Sequence, residues 1–220
     1  MKSRIFATDA YKEIEAATQD LLNVQRDFLS PRTLESTRAA GDAIQDILAQ
    51  EFGSILGGWA SDYSADFARR AMADLAFTDV DGNYYVIDVK THRTSTRFNM
   101  PNLTSVERLA RFYEDDANYF VLLLVSYDLN GAEVSFTGVR FLPIEFLAWD
   151  CLNIGALGWG QIQITNSNRI VVNPHASRKQ WMLDLCDTMF DFYPKEIAKI
   201  SERIHRFEEV RAFWANKPDA

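Results

Sequence analysis

The hydrophobic pattern divides the chain into two helical stretches, a run of strands, a loop-rich region and a helical end. Residues 9 to 28 set Tyr11, Ile14, Leu21, Leu22 and Phe28 near helical spacing, which predicts a first helix. Ser30-Pro31 is a break, and proline suits a first helical turn, so a second helix is expected to begin there. Its apolar face is Ile44, Ile47, Leu48 and Phe52, with Gly53 as the expected stop. Residues 54 to 64, rich in Gly, Ser and Trp, carry no periodic signal and read as loop.

From Ala73 the period shortens. Leu75-Ala-Phe-Thr leads through Asp79-Val-Asp81-Gly82-Asn83 into Tyr84-Tyr-Val-Ile-Asp-Val, and Asp81-Gly82 supplies the positive φ a tight hairpin turn requires. Tyr119 to Tyr127 is nearly all apolar and is expected at the centre of a sheet. Leu129-Asn-Gly-Ala is a second turn signal, after which Val134 to Leu142 returns as a strand. Between these strands Ser105 to Tyr113 is helical. Residues 150 to 174 are loop-rich, with strand-like pieces at Gln161–Ile164 and Ile170–Val172. The end is helical from Trp181 to Phe192, breaks at Pro194, and resumes with Ile197, Ile200, Ile204, Phe207 and Val210 at helical spacing. The expected fold is mixed α/β, a central mixed sheet flanked by helices in a single domain over 1–220. Its core runs over about 40–145, polar loops over about 96–105 and 153–170, and a helical segment over 178–215.

With 220 residues, 47% hydrophobic and 25% charged, the chain can bury one sizeable core and is not of disordered composition. The N-terminus has no apolar core of signal-peptide length, and the longest apolar run, Tyr119 to Val125, is too short to cross a bilayer. Cys151 and Cys186 are isolated and lack zinc-ligand spacing, so reduced thiols in a cytoplasmic protein are expected. His92, His175 and His205 have no ligand-spaced partner and read as surface or partly buried residues. A net charge of −8 runs against nucleic-acid binding. Its distribution changes the picture: Lys90, Arg93, Arg97, Arg108 and Arg111, with His92, share the span 90–111 with one acid, Glu107.

That basic strip adjoins the segment with the most chemistry in it. Asp88 and Lys90 alternate with Ile87 and Val89, so in a strand they project together while the apolar pair turns inward. The Asp81-Gly82 hairpin folds the preceding strand back, which can set Asp74 beside Asp88. Two adjacent carboxylates stay ionised only with positive charge between them, and Mg²⁺ takes one or two carboxylates plus water and phosphate oxygens. Lys90 would orient or deprotonate an attacking water, or neutralise developing charge. An Asp-x-Lys tripeptide alone is a common chance match, equally at home as an exposed ion pair.

Asp74 followed across a hairpin by Asp88-Val89-Lys90 resembles the signature of the PD-(D/E)XK nucleases, over about residues 40 to 127. It is closer still to type II restriction endonucleases of the EcoRV and HincII kind, where an Asp-Ile-Lys-Thr strand precedes a segment similar to Phe98-Asn-Met-Pro-Asn-Leu-Thr104-Ser105. The resemblance implies a restriction-endonuclease-like fold and cleavage of double-stranded DNA by a homodimer, with a cognate DNA methyltransferase as functional partner. It also implies Mg²⁺ held by Asp74 and Asp88, with water activated by Lys90. Ala73 stands where the family name has proline, a position whose side chain does no chemistry. The family often adds an acidic or amide residue from the preceding helix. Asp42, Gln45 and Asp46 share one helix face and qualify, Gln45 and Asp46 foremost because they flank the apolar stripe; a solvated face accounts for them as well.

Base reading calls for side chains with paired donors and acceptors. Asn99, Asn102 and Thr104 follow the catalytic strand, and Gln161, Gln163, Asn166 and Asn168 lie in a second polar stretch, with Gln161 and Gln163 aimed the same way. Arg69, Arg70, Arg93 and Arg97 suit phosphates better than bases. Two rivals stand beside the restriction-enzyme reading: a structure-specific repair, recombination or transposition nuclease of the same fold, and a non-catalytic DNA-binding module in which Asp74, Asp88 and Lys90 form a structural ion cluster.

Overall fold

A computed structural model describes residues 3–25, 36–65, 73–130 and 133–218. These fall into two units, residues 1–175 and 176–220. The expected helix start at Ser30-Pro31 lies outside the described residues.

In the first unit, α1 (Arg4–Ala7) and α2 (Ala10–Val24) precede α3 (Thr37–Leu56). Ser36 caps α3, its hydroxyl accepting from the Ala39 N–H and satisfying one of the orphan donors of the first turn. The helix does not stop at Gly53 as its glycine suggests. It continues to Leu56 and closes at Gly57, whose φ of +49° suits a residue without Cβ and whose N–H donates to the Gly53 carbonyl. Gly53 serves packing instead, since a Cβ there would lie 2.9 Å from the Tyr63 ring. Tyr63 belongs to β1 (Ala60–Ser64), a strand within the segment that reads as loop from sequence. Pairing with the strand over Leu75–Asp79 and the Tyr63 hydroxyl's bonds to the Leu48 and Ala49 carbonyls create that strand, and both are tertiary contacts.

The remaining elements are β2 (Leu75–Asp79), β3 (Tyr84–Arg93), β4 (Asn102–Ser105), α4 (Val106–Phe112), β5 (Asn118–Asn130), β6 (Glu133–Pro143), β7 (Leu152–Gly155) and β8 (Gln161–Ile164). Five strands form a mixed sheet in the order β1-β2-β3-β5-β6, flanked by helices. Its one parallel pair, β3 with β5, runs from Tyr84 opposite Asn118 to Arg93 opposite Tyr127, joined by a crossover carrying β4 and α4. β3 is the middle strand, and β5, expected at the centre, lies between β3 and the edge strand β6; both are interior and mostly buried. The edge strand β6 is covered by α2. Glu15 accepts from the Phe141 N–H and Asn23 from that of Phe136, which occupies backbone groups an open edge would present. Phe6, Phe52, Phe77, Tyr85, Tyr119, Phe141 and Phe146 fill the core, with Tyr85 stacked between Phe77 and Tyr119 at 4.3 and 5.0 Å.

A second sheet, in the order β4-β8-β7, joins the two stretches singled out for base reading: Asn102 opposes Gln163 and Ser105 opposes Gln161. Ile170–Val172 does not form a strand; Val172 makes a single bridge to Leu147.

The second unit is one helix, α5 (Arg178–Ala215), of 38 residues, with Pro194 inside it rather than ending it. A proline removes one helix hydrogen bond and crowds the carbonyl four residues back, at about 3 kcal/mol. Helix formers on both sides carry the helix through. Among the described residues no helix is long and apolar enough to cross a membrane.

Candidate active site

The hairpin that builds the site is locked by its own turn. The Asp79 carboxylate accepts from the backbone N–H groups of Asp81 and Asn83, from the Asn83 amide and from the Tyr85 hydroxyl. Burial pushes this carboxyl up, but the four donors outweigh it and hold the group below its ordinary range. Gly82, with φ at +85°, lets the chain turn. The β2–β3 pairing ends at Leu75 opposite Ile87, and Asp74, the residue just before β2, lies close enough for its charge to act on Asp88. The Asp74 N–H donates to the Ile87 carbonyl at 2.9 Å, and its carboxylate accepts from the Val89 N–H at 2.8 Å.

Asp88 is only 5% exposed. Its Oδ1 accepts from Lys90 Nζ at 2.5 Å, while its Oδ2 is buried with no hydrogen-bond partner. Burial is the largest influence on its carboxyl, Lys90 opposes it, Asp74 adds to it, and the result is pushed up to about 7. The geometry thus has a carboxylate oxygen lacking a donor, a second carboxylate nearby and one ammonium.

These residues fit a hard divalent cation. The donors are oxygens, and the orphaned Asp88 Oδ2 gains the positive partner it lacks. Among the described residues no three His, Cys, Asp or Glu side chains converge on one point. A cation here would therefore draw on the two carboxylates and complete its shell with water and substrate oxygens, as Mg²⁺ does.

Asp74 also lines a cavity of about 270 Å³ with Asp42, Gln45 and Asp46 of α3. All three helix candidates thus share one cleft with the hairpin. Helix and strand approach closely nearby, where a Cβ on Gly41 would lie 2.9 Å from the Thr91 hydroxyl.

The candidate reading residues are placed less uniformly. Gln161 and Gln163 share one face of β8 while Ile162 and Ile164 are buried behind them. Thr104 is 4% exposed and has little to offer a base edge. Gln161 lines a cavity of about 350 Å³ with Arg108, Trp159 and Ser105; Arg108 and Trp159 are contributors that sequence reasoning did not select for reading. Gln163 donates to Asn102 at 2.5 Å. Arg97 is exposed, and Arg93 is half-buried with an unpartnered Nε. Arg69 and Arg70 lie outside the described residues.

His92 is the residue whose part only the structure reveals. It shares a face with Asp88 and Lys90 and is buried. Its Nε2–H donates to Asn168 Oδ1 at 2.8 Å, and its Nδ1 accepts from the Asn99 amide at 3.2 Å. Asn168 in turn donates its side-chain amide to the Thr96 carbonyl and its backbone N–H to Asn166 Oδ1. Asn99, Asn166 and Asn168 therefore tie both loops to β3 through His92. The only trace in sequence is the i, i+2, i+4 alternation of Asp88, Lys90 and His92.

Compared with protein-family models and with curated proteins, the chain matches none.

Proposed function

We propose that this chain is a Mg²⁺-dependent endodeoxyribonuclease with a restriction-endonuclease-like fold, cutting double-stranded DNA at specific sites as a homodimer. One observation carries the reading: Asp88 is buried within reach of the Asp74 charge, with its Oδ2 unpartnered and Lys90 Nζ at 2.5 Å from its other oxygen. A salt bridge built for stability would satisfy both oxygens of a buried carboxylate; this one leaves one open.

Mg²⁺ held by Asp74 and Asp88 would polarise a phosphate and lower the pKa of a bound water. The rest falls to the chain itself. The Val89 N–H fixes the Asp74 carboxylate. Lys90 orients the attacking water or balances charge on the phosphorane-like transition state. Gln45 and Asp46 are positioned from α3 to add a further polar contact at the edge of the cleft. Gln161 presents a paired donor and acceptor on the adjoining sheet, while the Gln163 amide is bonded to Asn102.

A nuclease of the same fold without sequence specificity is favoured by one finding, that Asn99, Asn166 and Asn168 are engaged with their own chain. Incubation of purified protein with plasmid DNA, in Mg²⁺ or in EDTA, separates the readings. Discrete fragments in Mg²⁺ are expected. Random nicking or branch-selective cutting supports the second reading, and no metal-dependent cleavage of any DNA form removes both. Asp88→Asn and Lys90→Ala should each lower the cleavage rate by about 10²-fold or more while DNA binding stays measurable; full activity in either variant refutes the site.

A further inference from the structure

Helix α5 carries a pattern that the cleavage chemistry does not use. Leu183, Cys186, Phe190, Tyr193, Ile197, Ile200, Ile204, Phe207, Arg211 and Trp214 follow one another at alternating steps of three and four residues. This is the a/d seam of a coiled coil, sustained over more than four heptads. The seam is exposed along its length: Phe190 and Phe207 are each 72% exposed and Ile197 65%. A groove of about 420 Å³ opens on it, lined by Ile200, Arg203, Ile204, Phe207, Glu208 and Arg211. Scattered apolar residues need no explanation on a surface, but a continuous stripe of this size marks an interaction site.

We propose that α5 docks on the α5 of a second copy of this chain, antiparallel, as a two-stranded coiled coil. A strict seven-residue repeat specifies a partner helix of the same period, and the same chain supplies one. The seam residue Arg211 fixes the direction, because the flanking charges do not: the antiparallel register brings Glu196 to Arg203 but also Asp187 to Glu208. With the helices antiparallel over the full seam, Ile197 packs on Ile200 of the second copy, Phe190 on Phe207 and Leu183 on Trp214. The flanking Glu196 of each helix then meets Arg203 of the other, twice by symmetry. Arg211, the one charged seam residue, lies against Cys186 with Asp187 beside it. A parallel pairing also matches Arg203 with Glu208, but it sets Arg211 against its own copy at a core position, where like charges repel.

The inference does not rest on the nuclease reading and is tested without DNA. Light scattering behind a sizing column, on the full chain at tens of micromolar, is expected to give twice the 25.1 kDa chain mass. Ile200→Glu with Ile204→Glu puts charge into the seam at positions exposed in the single chain, and glutamate is a good helix former. The double variant should run as monomer, its dissociation constant raised on the order of 100-fold or more, with unchanged circular dichroism. A monomeric wild type, or a double variant that dimerises as tightly as the wild type, overturns the proposal. Glu196→Arg and Arg203→Glu should each weaken the dimer, and the two together should restore it. Failure of that restoration overturns the antiparallel arrangement. So does a Cys186–Cys186 cross-link under mild oxidation, because antiparallel helices hold those thiols apart.

Discussion

Asp88 is held where burial and the Asp74 carboxylate both oppose its charge, and the Lys90 ammonium only partly offsets them. The sign of the consequence is fixed by linkage. Its folded pKa, about 7, lies above the ordinary carboxyl value, so the folded state keeps a proton that the unfolded chain has released. The contribution to stability is fully present below about pH 4 and is lost as the pH rises toward 7. Metal-free protein should therefore lose stability across that window, at no more than about 1.4 kcal/mol per pH unit from this group. Glu15, which burial also raises, acts in the same direction. Urea titrations from pH 4 to 8 check this: Asp88→Asn should flatten the slope, and Mg²⁺ should reverse it at the upper end. A slope unchanged in Asp88→Asn would show that Asp88 is not the buried acid described here.

At the scale of the element, α3 and β1 show how a neighbour decides what a local signal means. Gly53 reads as a helix stop, yet it lies inside α3 and gives room to the Tyr63 ring, 2.9 Å from where a Cβ would be. Tyr63 cannot easily yield. Its hydroxyl is tied to the Leu48 and Ala49 carbonyls, and burial pushes its pKa up to about 12. Helix propensity favours alanine over glycine by about 1 kcal/mol, whereas overpacking costs about 1–3 kcal/mol. The second effect wins at this position, so Gly53→Ala should lower the melting temperature by a few degrees. In a Tyr63→Ala background the same substitution should raise it. Thermal melts of the four proteins decide the matter, and a stabilising Gly53→Ala in the wild type would show that the contact relaxes freely.

For the molecule as a whole, a charge of −8 must be reconciled with the polyanionic substrate proposed for it. Long-range attraction is unavailable, so affinity has to come from the local strip, where Arg97 and Arg108 are exposed. Each phosphate contact contributes about −0.9 to the slope of log affinity against log salt. In EDTA, Arg97→Ala and Arg108→Ala should each make that slope shallower by about 1. Binding isotherms between low and moderate salt measure it, and an unchanged slope would remove the residue from the interface.

The sequence by itself determined the strands β2, β3, β5 and β6, the Asp81-Gly82 turn and hence the meeting of Asp74 with Asp88. All of these depend on side-chain alternation and turn chemistry acting over a few residues. It also marked Asp42, Gln45 and Asp46 as one face of one helix, which the fold sets beside Asp74. What only the tertiary structure decided depends on partners distant in the chain. β1 exists because β2 pairs with it, and Gly53 continues a helix because Tyr63 needs the space. Asn99 and Asn168, chosen from sequence as readers of bases, are joined through His92 across a separation of 76 residues between the histidine and Asn168. A hydrogen bond of that span leaves no periodicity in the sequence, since nothing local requires it.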